Sequence, residues 1–371
     1  MKREKYGEQT AREEQSGQIS RRELIKRAAL LTISGAALSS VQHTFAAEDT
    51  DYWSSSPIIL GYFPSWSNLD PALLNLGEYT HICHAFTFAE QGSPLLFPSD
   101  TQTKTLIQAA HAKHIKVLLS LGGADSNKAL SDLPPEALSD SLVKQVKEYQ
   151  YDGIDVDWES PDSDDQSSKI TVLVQMLRDK LPDSILTMAI PSGSQWFQVE
   201  KLLPLVNWFN VMTYDFYGPW SNIAGYNASM TDVKGSIADW QGRGLTADKI
   251  LLGIPDYGRR IHAAHFGDPA PFGSYFNGEI SYIDVQKFEK QGWKKMFDKK
   301  EGAAYLVNPA KDELITYDSM ESARLKGEYA RSNSLLGYFL WEITSDFDGK
   351  THALARAALN GWKHTKRKPL K

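Results

Sequence analysis

Residues 152–159 read DGIDVDWE, and this stretch decides how the surrounding chain is interpreted. It carries a carboxylate at every second position, so on a β-strand these side chains point to one face: Asp155, Asp157 and Glu159. The positions between them are bulky and apolar and point to the other face: Ile154, Val156 and Trp158. The pattern predicts a buried strand that packs on one side and lines a polar site on the other.

Three carboxylates stacked near the end of a buried strand repel one another. Burial and mutual repulsion raise proton affinity, so at least one of them is expected to stay protonated near neutral pH. An acidic surface strand does not fit the apolar alternate face. A divalent-metal site stays open as a non-catalytic interpretation, but no histidine lies nearby in the sequence.

The rest of the chain contains short, nearly continuous apolar runs, as in parallel strands covered on both faces. Eight of them follow residue 57: Ile58–Phe63, Thr80–Ala89, Lys116–Leu121, Gly153–Trp158, Ile185–Ile190, Trp208–Tyr214, Ile250–Ile254 and Leu336–Trp341. A doubly wound open sheet would show a Gly-rich phosphate turn after its first strand. Here Phe63-Pro64-Ser65-Trp66 follows instead, so an α/β fold of the (β/α)8 TIM-barrel type is predicted.

Helical patterns alternate with these runs: Thr101–Lys113, Pro135–Tyr149, Ser167–Leu181, Thr231–Gly242, Tyr317–Arg331 and Thr351–Trp362. Between the seventh and eighth runs lie nearly sixty residues that a simple βα unit does not need. We therefore expect a barrel domain at 57–258 and 317–362. A small α+β lobe at 259–316 is inserted in it beside the barrel mouth, and 363–371 form a basic tail.

Composition limits the possible partners and cofactors. The 371 residues carry a formal net charge of −6, which argues against a nucleic-acid partner. The single cysteine, Cys83, lies in an apolar run, so we expect a buried, inert thiol and no intrachain disulfide. No cofactor or metal motif is found, no stable membrane anchoring is expected, and the protein is taken to be a monomer.

The N-terminal 46 residues are interpreted as an export signal. Arg21 and Arg22, followed by Leu24, Ile25 and Lys26, resemble the twin-arginine signal, and an apolar stretch at 28–38 is too short to span a bilayer. Small residues before residue 47 suit cleavage after Ala46. A periplasmic or secreted location is expected; an attached amphipathic helix is the alternative.

Five motifs, each at a predicted strand end, resemble glycoside hydrolase family 18, the chitinase family. Asp152 to Glu159 match its D-x-x-D-x-D-x-E signature, and the resemblance extends from Ile58 to Asp346. The other four motifs lie at the ends of the third, sixth, seventh and eighth strands: Ser120-Leu121-Gly122-Gly123, Met212-Thr213-Tyr214-Asp215, Gly253–Gly258 and Gly337–Trp341.

The resemblance implies a retaining, substrate-assisted mechanism on β-1,4-linked N-acetylglucosamine polymers. It makes Glu159 the general acid and base. Asp157 would hold the acetamido N–H, and Asp155 would share a proton with Asp157. Tyr214 would bond the acetamido oxygen. Asp152, out of the alternating register, is expected to support the stack from below.

Further substrate-binding and supporting positions follow from the same resemblance. Those expected to contact sugar or the aspartates are Asp215, Trp341, Met212, Tyr62, Tyr257 and Ser120. Gly122 and Gly123 would permit close backbone approach beneath the carboxylates. Tryptophans on loops after strands one, five and six are candidate sugar platforms, with loop packing as the alternative for each: Trp66, Trp196 and Trp220.

The expected partner is chitin or an N-acetylglucosamine oligosaccharide. The alternatives are an endo-β-N-acetylglucosaminidase or peptidoglycan hydrolase of the same family, and a non-catalytic chitinase-like lectin. Asp256 stands where the family usually has an aromatic residue, so we expect an altered subsite contact there.

Overall fold

The structure is a computed structural model that describes residues 56–89, 95–124, 126–308 and 310–367. The predicted export signal at 1–46 lies outside the described residues, as does the end of the basic tail. The described part contains these strands: β1 (Ile58–Pro64), β2 (His81–Thr87), β3 (Lys116–Gly122), β4 (Gly153–Asp157), β5 (Ile185–Pro191), β6 (Trp208–Met212), β7 (Ile250–Pro255), β8 (Tyr257–His262), β9 (Ile280–Ser281), β10 (Lys294–Asp298), β11 (Ala303–Asn308), β12 (Glu313–Tyr317) and β13 (Gly337–Trp341).

Eight parallel strands close into a barrel in the order β1-β13-β7-β6-β5-β4-β3-β2. They are the eight apolar runs found in the sequence, so the predicted TIM barrel is confirmed. In such barrels the loops at the C-terminal strand ends form the active face. The motifs at the C-terminal strand ends therefore meet at one end of the barrel.

Helices cover the barrel: α1 (Asp100–His111), α2 (Asn127–Ser131), α3 (Pro135–Tyr149), α4 (Asp164–Lys180), α5 (Val199–Leu202), α6 (Met230–Gly242), α7 (Tyr282–Lys290), α8 (Met320–Ser332) and α9 (Ala353–Lys363). Several begin at a serine whose hydroxyl accepts a hydrogen bond from the first turn, as Ser99, Ser163 and Ser229 do. No helix in the described part of the chain is long and apolar enough to cross a membrane.

The core has two layers, because barrel side chains alternate between the inside and the helices. The outer layer includes Ile154, Val156 and Trp158 of the quoted stretch, each at most 1% exposed. The inner layer fills the barrel with residues such as Tyr62, Cys83 and Phe339. Cys83 is fully buried, and burial raises the pKa of its thiol well above the usual range.

The inserted segment forms a second, antiparallel sheet in the order β10-β11-β12-β8-β9, with α7 packed against it. A single residue, Asp256, separates its strand β8 from the end of β7, and β12 leads into α8 of the barrel. The chain thus leaves the barrel at Asp256 and returns at Asp318. This geometry holds the lobe close to the C-terminal ends of β7 and β13.

Candidate active site

Strand β4 carries the carboxylates into the barrel. Asp155 is fully buried, Asp157 is 3% exposed, and Glu159 follows the strand end in a half-buried position. Strand register places Ser120 of β3 and Thr187 of β5 on either side of Asp155. The alternation seen in the sequence therefore becomes a column of acids that runs from the barrel interior to its mouth.

Asp155, the innermost of the three, accepts hydrogen bonds from four side chains. Tyr62 OH and Ser120 Oγ donate to Oδ2 at 3.0 and 2.8 Å. Thr187 Oγ1 and Asn210 Nδ2 donate to Oδ1 at 2.6 and 3.1 Å. Burial raises the pKa of Asp155, but these donors oppose the shift because they stabilise the ionised form.

Asp157 has a contrasting environment, because its Oδ1 is buried without a hydrogen-bond partner in the described part of the chain. Burial, then the charges of Glu159 and Asp155, raise the pKa of Asp157 well above its usual range. Asp157 Oδ1 thus lacks the donors that oppose the same shift at Asp155. The two carboxylates therefore differ in their surroundings.

Tyr214 and Asp215 form one wall of the site after β6. Burial and the nearby carboxylates Asp157 and Glu159 raise the pKa of Tyr214 well above its usual range, so its hydroxyl stays a donor. Asp215 has a φ of 58°, a left-handed conformation that aspartate tolerates and that is enriched at functional sites. Its Oδ1 accepts hydrogen bonds from Tyr257 OH at 2.7 Å and from Arg259 Nε at 2.9 Å.

These residues line a cleft of about 380 Å³ at the barrel mouth. Its walls contain most of the residues predicted to meet substrate: Asp157, Glu159, Met212, Tyr214, Asp215 and Trp341. Ala124, Pro191, Ser192, Phe216 and Glu279 complete the lining. The cleft has the size of a small-molecule site, and four carboxylates are among its lining residues: Asp157, Glu159, Asp215 and Glu279.

Glu279, which sequence reasoning missed, brings a carboxylate of the inserted lobe to the cleft. Arg259 Nη2 lies 3.2 Å from Glu279 Oε1 and 2.7 Å from Asp215 Oδ1, so the guanidinium bridges two acids. Partial burial raises the pKa of Glu279 to about 7, Arg259 opposes the shift, and Asp215 adds to it. The side chain is still 42% exposed, so solvent moderates this effect.

Aromatic side chains extend the site along the barrel mouth. The Trp341 ring stacks on Phe86 with centroids 5.4 Å apart and meets the Tyr62 ring edge-on at 5.4 Å. Trp66 is 54% exposed with its centroid 6.4 Å from that of Trp341, so it presents an open face beside the cleft. Trp341 is thus held from below and faces the cleft above.

Trp220 and Trp196 have different placements. Trp220 is 61% exposed, and the Arg259 guanidinium lies 5.1 Å from its ring centre. Trp196 is half-buried, and its carbonyl accepts a hydrogen bond from Ser167 of α4. Trp196 does not line the cleft at the barrel mouth.

Close backbone approach beneath the carboxylates explains two glycines. A Cβ on Gly122 would lie 2.2 Å from the backbone oxygen of Asp157, and one on Gly123 would lie 2.4 Å from the Phe86 ring. Both residues have positive φ, 117° and 84°. Gly123 N donates to Asp157 O at 2.8 Å, which joins β3 to β4 at the site.

Three residues are placed away from the predicted position. Asp152 does not support the acid stack: at the opposite strand end it binds His111, Lys116 Nζ and Val117 N. Asp256 is fully buried and lies outside the cleft lining, so the expected altered subsite contact is wrong. Tyr257 is 3% exposed and holds Asp215 from behind instead of lining the cleft.

Sequence reasoning missed Thr187 and Asn210 as well as the lobe residues. Both are polar residues inside apolar strands, and that exception was the available signal. Arg259 and Glu279 had no such signal, because Glu279 follows the irregular segment after β8 and its approach to Arg259 is a tertiary contact. The described residues contain no group of three or more His, Cys, Asp or Glu side chains arranged to hold a metal ion.

An acid poised beside a second carboxylate, at the C-terminal face of a (β/α)8 barrel and flanked by aromatic faces, defines a glycoside-hydrolase type of site. The chain belongs to glycosyl hydrolases family 18, because the sequence model of that family matches residues 58–346.

Similar proteins carry related names. A class V chitinase from Medicago truncatula is 26% identical over 82% of this chain and 89% of that protein. Endochitinase 1 from Metarhizium robertsii is 26% identical over 78% of this chain and 81% of its own length. The crystal structure of a family 18 chitinase from Cycas revoluta in complex with (GlcNAc)3 matches this structure with a TM-score of 0.73. The two sequences are 26% identical, and the match covers 82% of this chain and 99% of that one.

Proposed function

We propose that this protein hydrolyses β-1,4-linked N-acetylglucosamine polymers of the chitin type, with retention of configuration and Glu159 as general acid and base. The observation that carries the proposal is the pairing of Glu159 with Asp157 in one cleft, where Asp157 keeps a buried oxygen without a partner. The relative from Cycas revoluta binds a chitin oligosaccharide, and the curated relatives are named chitinases.

The first chemical step breaks the glycosidic bond without a protein nucleophile. Glu159 gives its proton to the glycosidic oxygen, and the electron pair of the C1–O bond leaves with that oxygen. The carbonyl oxygen of the substrate's own 2-acetamido group bonds to C1 and forms an oxazolinium ring. In the second step, Glu159 takes a proton from water, whose oxygen attacks C1 and reopens the ring.

Asp157 is proposed to act on the acetamido nitrogen. A buried carboxylate oxygen without a donor is unfavourable, so an N–H placed there gains a strong hydrogen bond. When Asp157 is ionised, its charge also stabilises the positive charge that develops on the oxazolinium. A sugar with a hydroxyl in place of the acetamido group would supply neither the nucleophile nor this N–H.

Tyr214 and Asp215 are proposed to hold the acetamido group from the other side. The Tyr214 hydroxyl stays protonated and is available to donate to the acetamido oxygen. This hydrogen bond orients that oxygen toward C1, so the reacting atoms are held in line before the bond breaks. Arg259 and Tyr257 keep Asp215 in its left-handed conformation at the cleft wall.

The decisive experiment replaces Glu159 by Gln and supplies three substrates: chitin hexamer, peptidoglycan and a high-mannose glycoprotein. Wild-type protein is expected to shorten the hexamer, and Glu159→Gln is expected to lose at least 10³-fold in kcat because no acid remains to protonate the leaving oxygen. Products are analysed by mass. Glu200→Gln, an exposed change on α5, is the matched control and should keep wild-type turnover.

Retained chitin cleavage by Glu159→Gln would contradict the assignment of the acid. Cleavage of peptidoglycan or of the glycoprotein, with no product from chitin, would move the enzyme to one of the two other polymers. Tight chitin binding without any cleavage by the wild type would identify a lectin.

Export through the twin-arginine route is a second part of the proposal and concerns residues outside the described chain. Replacing both Arg21 and Arg22 by Lys is expected to leave precursor in the cytoplasm, since the paired arginines are the feature of the signal. Fractionation and immunoblotting measure the result. Lys2→Arg, a basic change outside the motif, is the control; unchanged export of the double variant would rule out this route.

A further inference from the structure

The described part of the chain contains a further cavity, of about 410 Å³, that shares no lining residue with the catalytic cleft. It lies where α6, the turn between β10 and β11, and α8 meet the chain that follows α9. A cavity of this volume has room for a small molecule. Its lining includes one carboxylate, that of Glu328, and several ammonium and hydroxyl groups: Lys234, Lys299, Lys300, Tyr329, Ser332 and Thr365.

The turn that carries Lys299 and Lys300 is fixed through its backbone. Asp298 Oδ1 accepts hydrogen bonds from Lys300 N at 2.9 Å and from Glu301 N at 3.1 Å. Met230 N, at the start of α6, donates to Glu301 O at 2.7 Å, which ties the turn to that helix. The two lysine side chains of the turn therefore start from an ordered backbone beside α6.

The charges around this cavity do not cancel. Lys300 Nζ lies 3.4 Å from Glu301 Oε1, and the carboxylate of Glu328 accepts a hydrogen bond from an arginine one turn earlier on α8. Each of these charges thus has a partner of opposite sign. Lys234 and Lys299 form no ion pair or side-chain hydrogen bond with any described residue. Two positive charges therefore remain uncompensated at one cavity, on a chain whose formal net charge is −6.

Hydroxyl groups complete the set of hydrogen-bond donors. Ser332 Oγ already donates to Tyr329 O at 3.1 Å. The hydroxyls of Tyr329 and Thr365 have no hydrogen-bond partner among the residues that the structure describes. Burial raises the pKa of Tyr329, so its hydroxyl stays protonated and able to donate. Ammonium and hydroxyl donors around one cavity, with its single carboxylate already paired, suit an anionic ligand.

We propose that this cavity binds a phosphate monoester. Such an ester carries a charge of about −2 at neutral pH, which matches the two unpaired ammonium groups of Lys234 and Lys299. Lysine binds phosphate as a point charge, and the hydroxyls of Tyr329 and Thr365 donate to the remaining phosphate oxygens. A soluble sugar phosphate and the headgroup of phosphatidic acid offer the same chemistry, and the test separates them. This inference does not depend on the proposed glycosidase activity.

The test measures binding of glucose 6-phosphate to the full chain by isothermal titration calorimetry. The double variant Lys234→Gln and Lys299→Gln is expected to bind about tenfold more weakly than wild type, because each lysine supplies a charge-assisted hydrogen bond. Glucose 6-sulfate, with a single negative charge, should also bind more weakly than the phosphate. Lowering the pH from about 7.5 to about 5.5 should weaken phosphate binding, since the second pKa of the ester is about 6.

The matched control is the double variant Lys144→Gln and Lys147→Gln, which removes two exposed lysines from α3 and should keep wild-type affinity. Thermal unfolding at the wild-type temperature verifies that each variant is folded. A second arm measures sedimentation of the protein with phosphatidylcholine vesicles that contain phosphatidic acid, against vesicles of phosphatidylcholine alone. Binding to these vesicles but not to glucose 6-phosphate, lost in the Lys234 and Lys299 variant, supports the proposal with a headgroup as the source of the phosphate.

Three results overturn the proposal. The first is wild-type protein that binds neither glucose 6-phosphate at about 10 mM nor the vesicles that contain phosphatidic acid. The second is equal affinity of the Lys234 and Lys299 variant and wild type, because the anion then binds elsewhere. The third is equal affinity for the phosphate and the sulfate ester, since the match of two charges would then have no effect.

Discussion

At the scale of single residues, Asp155 and Asp157 show how one strand gives two chemically distinct carboxylates. Both point into the barrel because the strand alternates, and both are buried. Four side chains donate to Asp155, whereas Asp157 keeps an oxygen without a partner. The alternating acids could be read from the sequence. Which of the two receives hydrogen bonds could not be read from the sequence, because the four donors lie on β1, β3, β5 and β6.

Asp157→Asn is expected to lower kcat by about 10²- to 10³-fold, since a neutral amide does not stabilise the positive charge that develops in the transition state. KM should change only a few-fold, because the interaction is made mainly in the transition state. Steady-state kinetics on chitin tetramer measures both. Asp152→Asn, directly before the same strand and bound outside the site, should keep wild-type kcat; an equal loss in both variants would point to a general effect on β4.

At the scale of elements, hydrophobic pattern predicted the strands well because each barrel strand is covered on both faces and reads as an apolar run. Pro135–Tyr149 is found as predicted, and other helix ends shift by a few residues to serine caps such as Ser163 and Ser319. The site glycines were flagged by motif, but the reason for them is tertiary. The end of β3 comes so close to β4 that a side chain cannot fit.

Gly122→Ala is expected to destabilise the fold by a few kcal/mol and to abolish activity, because its Cβ would meet the Asp157 carbonyl in a backbone conformation with φ 117°. Thermal unfolding and turnover on chitin tetramer are the measurements. Gly235→Ala on α6 is the matched control: no atom lies within 4 Å of its Cβ position, so it should be neutral or stabilising. A stable, active Gly122→Ala protein would be inconsistent with this packing.

At the scale of the whole molecule, the junction between barrel and lobe contains a buried acid group that the site does not use. Asp256 lies between β7 and β8, both of its carboxylate oxygens are buried without partners in the described chain, and burial raises its pKa well above the usual range. The charges of Asp346, Glu342 and Asp318 add to this shift, and Lys326 opposes it. Burial likewise raises the pKa of Asp346 to about 7.

Because the pKa of Asp256 is raised by burial, we expect the folded protein to lose stability as the pH rises. A carboxyl whose pKa is raised in the folded state contributes its full stability below its unfolded pKa of about 3.9, and that contribution is lost as pH rises toward the folded value. Asp256→Asn removes one such group, so the variant should gain stability relative to wild type between pH 5 and pH 8, by at most about 1.4 kcal/mol per pH unit.

Thermal denaturation across that pH range, followed by circular dichroism, measures the difference in Tm between Asp256→Asn and wild type. Asp183→Asn, at an exposed position, is the control and should give a difference that stays constant with pH. A constant difference for Asp256→Asn as well would show that Asp256 is already ionised in the folded protein at pH 5.

The sequence by itself determined the barrel and its acid column, because apolar runs and period-two alternation are local properties of the chain. It also placed Tyr214, Asp215 and Trp341 at strand ends, which a barrel brings together at one face. Only the tertiary structure decided that Asp155 receives hydrogen bonds while one oxygen of Asp157 does not. It also decided that Arg259 holds Glu279 beside Asp215 at the cleft, and that Asp256 is buried outside the cleft. Those outcomes depend on contacts between segments far apart in the chain, where burial and neighbouring charges set each group's behaviour.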